Sequence, residues 1–332
     1  MKIGIPKALL YYYYFPFWDV LFKELGIETV LSEDTSKVIL DLGVKKAVPE
    51  ICVPMKVYTG HIINLLDKNV DYIYIPRFVS LSKGTFMCPK FMGLPDMIKG
   101  LFDDIDDKIL TNSIISKDDD ISDFKIYKDF IVRLGVSKYD LKKALKRARE
   151  EWLSFRKLNK KGFDINELLD EDTPQKYDGD ITIGLLGYVY NVYDRFMNMD
   201  LINTLRKMNV KIITFDMLDE KLIKKYQSRF KKEMFWEFTN KIMGAAYNFM
   251  EMDIIDGIIQ ISAFGCGSDS ILEPFLSIDS ENAKKPYMIL RIDEQTGESH
   301  ILTRIEAFID LVRIKKQKLK RVKVENTSEG VI

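Results

Sequence analysis

Histidine is almost missing from this chain: His61 and His300 are the only two in 332 residues. A zinc site built on imidazole is therefore not expected. Cysteine is nearly as scarce. Three residues, an odd count in a long chain, do not make a disulfide framework. Neither charge is in excess, since 50 Lys and Arg balance 50 Asp and Glu. A nucleic-acid binder carries a basic surplus, so no nucleic-acid partner is expected. No apolar run approaches the ~18 residues that span a bilayer, so no membrane partner is expected either. The opening MKIGIPKALL enters a strand pattern without a secretory cleavage signature, which predicts a cytoplasmic protein. A Walker A loop and a GxGxxG turn are both absent, so no ATP or dinucleotide site is read here.

What is present alternates. Residues 2–6 read as a strand. Residues 8–25 read as a helix with apolar side chains three and four apart, Pro16 at its first turn or at a kink, and Gly26 closing it. A strand at 27–31 follows. Thr35 or Ser36 is expected to cap a helix through 42, ended by Gly43. Residues 47–49 read as a brief strand, 71–76 as a buried parallel strand and 95–102 as a short helix. Residues 103–123 carry DDIDD and KDDD without periodicity and are expected as a solvated connection. Ser137 caps a spacer helix through 159.

From 181 the pattern begins again. TIGLLGYVYNVYDRFMNMDLINTLRKMNVKIITF repeats the strand, glycine, tyrosine-rich turn, helix and strand of KIGIPKALLYYYYFPFWDVLFKELGIETVLS. DGIIQISAFG leads to Cys266 as DYIYIPRFVS leads towards Cys88. A helix at 230–252, a strand at 287–292, a turn at 293–297 and a helix at 303–318 with a solvated basic tail complete the pass. The expected fold is α/β: two Rossmann-like domains with parallel sheets, 1–110 and 179–332, joined by a helical segment at 111–178.

The three cysteines all fall at element junctions. Cys52 lies two residues before Pro54, Cys88 immediately before Pro89, and Cys266 between Gly265 and Gly267. A lone cysteine is more often a small buried hydrophobe than a ligand. The ends of parallel strands, however, are where open α/β sheets bind ligands. Thiols at helix starts are expected to have lowered pKa values, which suits metal ligation. Three thiolates can hold a four-iron cubane and leave one iron without a protein ligand. The expectation is geometric: Cys52, Cys88 and Cys266 meet in the cleft between the domains. A cysteine hydrolase is disfavoured, because His61 lies two helical turns beyond Cys52. Candidate catalytic groups on the same rims are Lys7, Tyr12, Lys56, Arg77 and Ser268, with Tyr11, Glu50, Lys90 and Asp269 nearby. Tyrosines in such runs are more often core aromatics than proton donors.

Six segments carry a family resemblance: GIPKALLYYYYFPFW at 4–18, DLGVKKAVPEICVPMKVYTGHI at 41–62, DYIYIPRFVSLSKGTFMCPKFMGLPDMI at 71–98, YNVYDRFMNMDLINTLRKMNVKIITFD at 190–216, DGIIQISAFGCGSDS at 256–270 and DEQTGESHILTRIEAF at 293–308. With them the chain resembles the acyl-CoA dehydratase activase-related family, within the 2-hydroxyacyl-CoA dehydratase and double-cubane cluster protein group. The resemblance implies Rossmann-like domains with a [4Fe-4S] cluster on Cys52, Cys88 and Cys266. It implies a low-potential reductase or 2-hydroxyacyl-CoA dehydratase-like component in anaerobic metabolism. Electrons would come from a separate ATP-hydrolysing activator with its own iron–sulfur cluster. In the dehydratases the electron makes a substrate ketyl radical and permits loss of an unreactive hydroxyl. A homodimer is implied by analogy, and an [8Fe-9S] double cubane would need ligands from two chains. The chain is shorter than a typical dehydratase subunit and shows no clear acyl-CoA motif. Two other readings stand beside the enzyme: a non-catalytic electron carrier or cluster scaffold, and a structural α/β protein with buried thiols.

Overall fold

The two apolar openings that repeat in the sequence each form the second strand of a four-stranded parallel sheet. The computed structural model describes residues 1–170, 173–227 and 234–328. In the first half the chain forms β1 (Lys2–Ile5), α1 (Tyr11–Glu24), β2 (Glu28–Leu31), α2 (Lys37–Lys46), α3 (Val53–Leu66), β3 (Tyr72–Tyr74), β4 (Arg77–Ser80), α4 (Pro89–Met92), α5 (Leu94–Leu101), β5 (Ile109–Leu110) and β6 (Ser113–Ile115). The middle is helical: α6 (Phe124–Tyr127), α7 (Phe130–Arg133), α8 (Lys138–Lys160) and α9 (Ile165–Leu169). Then come β7 (Ile181–Leu186), α10 (Val189–Tyr193), α11 (Leu201–Lys207), β8 (Val210–Thr214), α12 (Glu220–Gln227), α13 (Glu237–Glu251), β9 (Gly257–Ala263), α14 (Gly267–Asn282), β10 (Tyr287–Ile292) and α15 (Glu298–Ser328).

The sheets run β2-β1-β3-β5 and β8-β7-β9-β10, parallel throughout. Each therefore places its second, first, third and fourth strands in the same order, so the repeat read from the sequence is one of topology. Pro76 interrupts the third strand of the first sheet because it has no N–H for the ladder. Pairing resumes beyond it, with β4 against β6, through Arg77 N–H to Asn112 O at 2.9 Å. Among the described residues no helix is long and apolar enough to cross a membrane.

Several sequence expectations are corrected. Residues 103–123 are not a solvated connection: they supply β5 and β6 and bury Ile105, Ile109, Leu110, Ile114 and Ile121. The acidic residues lie between these apolar ones and hide the strand signal. Residues 47–49 form no strand. The helix expected from residue 8 starts at Tyr11, after Leu9 takes a left-handed φ of 54°, and Pro16 lies well inside it. The long helix α8 is no free spacer. It packs along α1, burying Leu141, Ala144, Leu145, Ala148, Trp152 and Phe155, and the Trp152 indole donates to Tyr13 O at 2.9 Å. That contact explains the four consecutive tyrosines of α1, all buried: the helix is enclosed on several sides. Tyr14 stacks between Phe78 and Trp152, with centroids 5.3 and 5.5 Å away. The expected start of a helix at 230 lies outside the described residues, and α13 begins at Glu237. The closing helix runs from 298 to 328, and the first residues of its basic tail are not simply solvated. Arg313 pairs with Asp180 at 2.8 Å and Lys316 with Asp256 at 2.6 Å.

Gly43 does not end α2, which Ser36 caps and which continues to Lys46. It is instead where α2 crosses α3. A Cβ at Gly43 would stand 1.7 Å from Lys56 O, and one at Gly60 would stand 1.9 Å from Ile39 O. Only glycine at both positions lets the helices approach this closely, and the crossing fixes the start of α3, where Cys52 sits. Gly43→Ala should therefore lose about 1–3 kcal/mol by overpacking, read as a lower denaturation midpoint. Gly297→Ala, where a Cβ meets nothing within 4 Å, should change it little.

Candidate functional site

Each cysteine is the N-cap of a helix: Cys52 of α3, Cys88 of α4 and Cys266 of α14. Pro54 and Pro89 help to start the first two, since proline fits the first helical turn. The turn before α14 is made by Gly265 in the left-handed region, φ +79°. A Cβ on Gly265 would lie 3.2 Å from Cys52 Cα, so this turn of the second sheet rests on the cysteine of the first. Cys88 follows the continued third strand of one sheet and Cys266 the third strand of the other. The three thiols act on one another's charge: Cys88 raises the pKa of Cys52, and Cys52 raises that of Cys266.

Burial dominates these thiols. It pushes Cys52 and Cys88 above the ordinary cysteine value, and it pushes Cys266 up to about 12, helped by Asp269. The backbone amides of Met55, of Lys90 and Phe91, and of Asp269 pull each thiol down, as does the Lys90 ammonium for Cys52 and Cys88. None of the three makes a capping hydrogen bond of ordinary geometry. The expectation of lowered values is thus corrected: desolvation of the thiolate outweighs the helix starts.

Around Cys266 the polar groups are ordered. Ser268 Oγ lies 3.4 Å from its sulfur and 2.9 Å from the Tyr188 hydroxyl, which is 3.2 Å from Thr239 Oγ1. Asp269 is fully buried, and burial raises its pKa to about 7 although Cys266 and Ser262 beside it pull it down. Among the described residues, no group of three His, Cys, Asp or Glu side chains is arranged to hold a single metal ion.

Of the other candidates, Ser268 and Asp269 adjoin Cys266, and the Lys90 backbone amide adjoins Cys88. Lys56 is buried on α3 and pairs with Glu294 at 2.8 Å, tying the two halves together beside Cys52. Arg77 is committed elsewhere, to Met92 O at 2.7 Å and Asp96 at 2.8 Å, where it holds α4 and α5. Lys7 pairs with Asp34, and with Tyr11, Tyr12, Thr35, Asp194 and Arg195 it lines a separate pocket of about 90 Å³. A larger cavity of about 560 Å³ opens between the halves. Leu40 and Val53, the latter next to Cys52, line it from one side, and Phe196, Met199, Ile292 and Glu294 from the other. His61 contacts no cysteine. Its Nδ1 lies 2.8 Å from Ser32 Oγ and its Nε2 3.0 Å from Thr35 Oγ1, while Thr35 donates to Asp194. Asp194, Tyr188 and Tyr190 were not singled out from the sequence. The only signal was the tyrosine-rich turn after β7, which reads equally well as core.

The family model of the CoA enzyme activase uncharacterised domain matches residues 2–218. The chain belongs to this family. The match places it in the setting of acyl-CoA dehydratase systems and covers Cys52 and Cys88, while Cys266 lies beyond it. No curated protein matches the chain.

The seam of His61, Thr35 and Asp194 gives a pH test. Burial lowers the His61 pKa to about 3 and raises that of Asp194 to about 6. His61 binds fewer protons folded than unfolded, so its stability is present above its unfolded pKa and is lost as pH falls. Asp194 binds more when folded, so its stability is present below its unfolded pKa and is lost as pH rises through about 6. The two oppose each other between about pH 4 and 6. Asp194→Asn should expose the His61 slope there, up to about 1.4 kcal/mol per pH unit lost on acidification, in denaturation curves taken across that range.

Proposed function

We propose that Cys52, Cys88 and Cys266 hold a four-iron cluster, and that the protein is a low-potential redox component of an acyl-CoA dehydratase-type system. In this reading it works as a reductase or dehydratase-like component, supplied by an ATP-hydrolysing activator. The observation that carries the reading is that three thiols stand at three separate helix starts, with the turn before Cys266 packed against Cys52 and with Cys88 acting on Cys52. The donor set fits. Thiolates are soft ligands suited to iron–sulfur clusters, and a cluster asks its ligands to surround a body larger than one ion.

Bound there, a cluster would supply one-electron chemistry and an iron without a protein ligand. The chain's own residues have defined tasks around it. Lys90 offsets negative charge at Cys52 and Cys88. Ser268, held by Tyr188, fixes the approach to Cys266. Lys56 and Glu294 keep α3 and the 293–297 turn together. The cavity of about 560 Å³ beside Val53 favours a reacting component over a carrier, because a carrier needs no space for a substrate. Since the three thiols are protonated at neutral pH, loading releases protons and should proceed faster at mildly alkaline pH.

Anaerobic purification or reconstitution should give a brown protein with about four irons per chain and an EPR signal on reduction. Replacing any one of Cys52, Cys88 or Cys266 by alanine should remove most of the iron and leave the far-ultraviolet circular dichroism unchanged. Native protein that stays colourless and iron-free after anaerobic reconstitution would end this reading.

A further inference from the structure

Helix α14, which Cys266 starts, is turned inside out. Its inner side buries Asp269, Glu273 and Ser280 beside Leu272 and Leu276. Its outer side presents Ile271, Phe275 and Ile278 to water, and the turn before it adds Phe264. These four side chains are between 42% and 65% exposed. Residues three and four apart share one face of a helix, so the three on α14 form one stripe. Every residue that the helix exposes from Gly267 to Ile278 is uncharged. A surface helix ordinarily turns its charges to water and its apolar side chains to the core. The reversal marks a face that a partner covers.

The spacing of the stripe points to the partner. Ile271 lies midway between Gly267 and Phe275, four positions from each, and midway between Phe264 and Ile278, seven from each. A stripe that reads alike in both directions fits a second copy of itself, running antiparallel about a two-fold axis at Ile271. Each Phe275 ring then covers Gly267 of the second copy, where a Cβ would meet nothing within 4 Å. Each Ile278 meets the turn of the second copy that carries Phe264. No charge in the stripe calls for an opposite charge, and none repels an identical face. The four side chains leave roughly 400 Å² of apolar surface in water on each copy. With Ser270 and Pro274 beside them, two copies bury about 1,000 Å² together, the lower bound of a specific interface, so the pair is weak and depends on concentration.

We infer that the outer face of α14 is a dimer interface, in which two copies of this chain pack their α14 helices antiparallel across Ile271. Cys266 lies five positions before Ile271. At 1.5 Å per residue, the two Cys266 residues of the pair stand about 15 Å apart along the helix axes. The contact thus flanks the thiol site of each copy, and it stands whether or not that site holds a cluster.

Sedimentation velocity of the purified full chain should show a monomer–dimer equilibrium with a Kd on the order of 10 µM. Phe275→Glu should weaken it by about tenfold or more, the effect of a charge placed in a small apolar contact. Tyr139→Glu, at an exposed aromatic of α8, should leave it unchanged. Ile271→Lys and Ile271→Glu should each be monomeric, because like charges face one another across the axis. An equimolar mixture of the two should dimerise again. All four variants should keep the native circular dichroism and unfolding midpoint, since each replaced side chain faces water in the single chain. A native chain that is still monomeric at about ten times that concentration overturns the inference and leaves the face to a different protein. A dimer that Phe275→Glu leaves intact overturns it by placing the contact elsewhere. A mixture of the Ile271 variants that stays monomeric overturns it by removing the two-fold axis.

Discussion

The contact of Gly265 with Cys52 organises this molecule. A loop at the end of β9 can rest on the start of α3 only if it carries no Cβ and takes a left-handed turn, and Gly265 meets both conditions. That one approach brings the end of β9 against the start of α3 and sets the turn that carries Cys266 on Cys52. Other ties between the halves support it. Phe86 and Glu237 join by backbone hydrogen bonding at 2.8 Å, and Phe86 stacks on Phe235 at 5.1 Å. Lys56 reaches Glu294, Thr35 reaches Asp194, and Lys241 reaches Asp119 at 3.1 Å. A buried charged partner left alone is costly, so these pairs resist separation of the halves more than exposed pairs do.

The site's location follows from parallel architecture. Helices that follow parallel strands begin at the carboxyl edge of the sheet, and ligands of open α/β sheets bind there. Here two sheets of the same strand order face their edges toward one another, so each contributes the loop after its third strand. The tyrosines divide by position. Tyr13 and Tyr14 of α1 lie between the first sheet and α8 and belong to the core, while Tyr12 also borders the small pocket with Lys7. Tyr188 stands where core and site meet, its ring stacked on Tyr190 and its hydroxyl turned to Ser268 beside Cys266.

Electrostatics at the junction is a contest that burial wins. First-turn amides and Lys90 favour thiolates, but taking the sulfurs out of water costs more, and the neighbouring thiols and Asp269 add to that cost. Thiols kept protonated by burial are protected against casual oxidation, because the thiolate is the reactive form.

Much of the fold was readable from residues alone. The strand at 287–292, the glycine that closes the first helix, the Ser137 cap and the repeated succession of strand, turn, helix and strand all follow from local pattern. So did the placing of each cysteine at a junction between elements, because proline and glycine punctuate the chain through their own dihedral limits. What misled the sequence reading was always a neighbour distant in sequence. Gly43 looks like a terminator until Lys56 O is found beside it. Residues 103–123 look solvated until Ile109 pairs with Ile73. The thiols look acidified until their burial is known. The sequence by itself determined where each element starts and which residues carry sulfur, since those depend on a few adjacent dihedrals. Only the tertiary structure decided that the turn before Cys266 rests on Cys52 and that burial raises the thiol pKa values, because these depend on groups more than two hundred positions apart, brought together by sheet pairing and a missing Cβ.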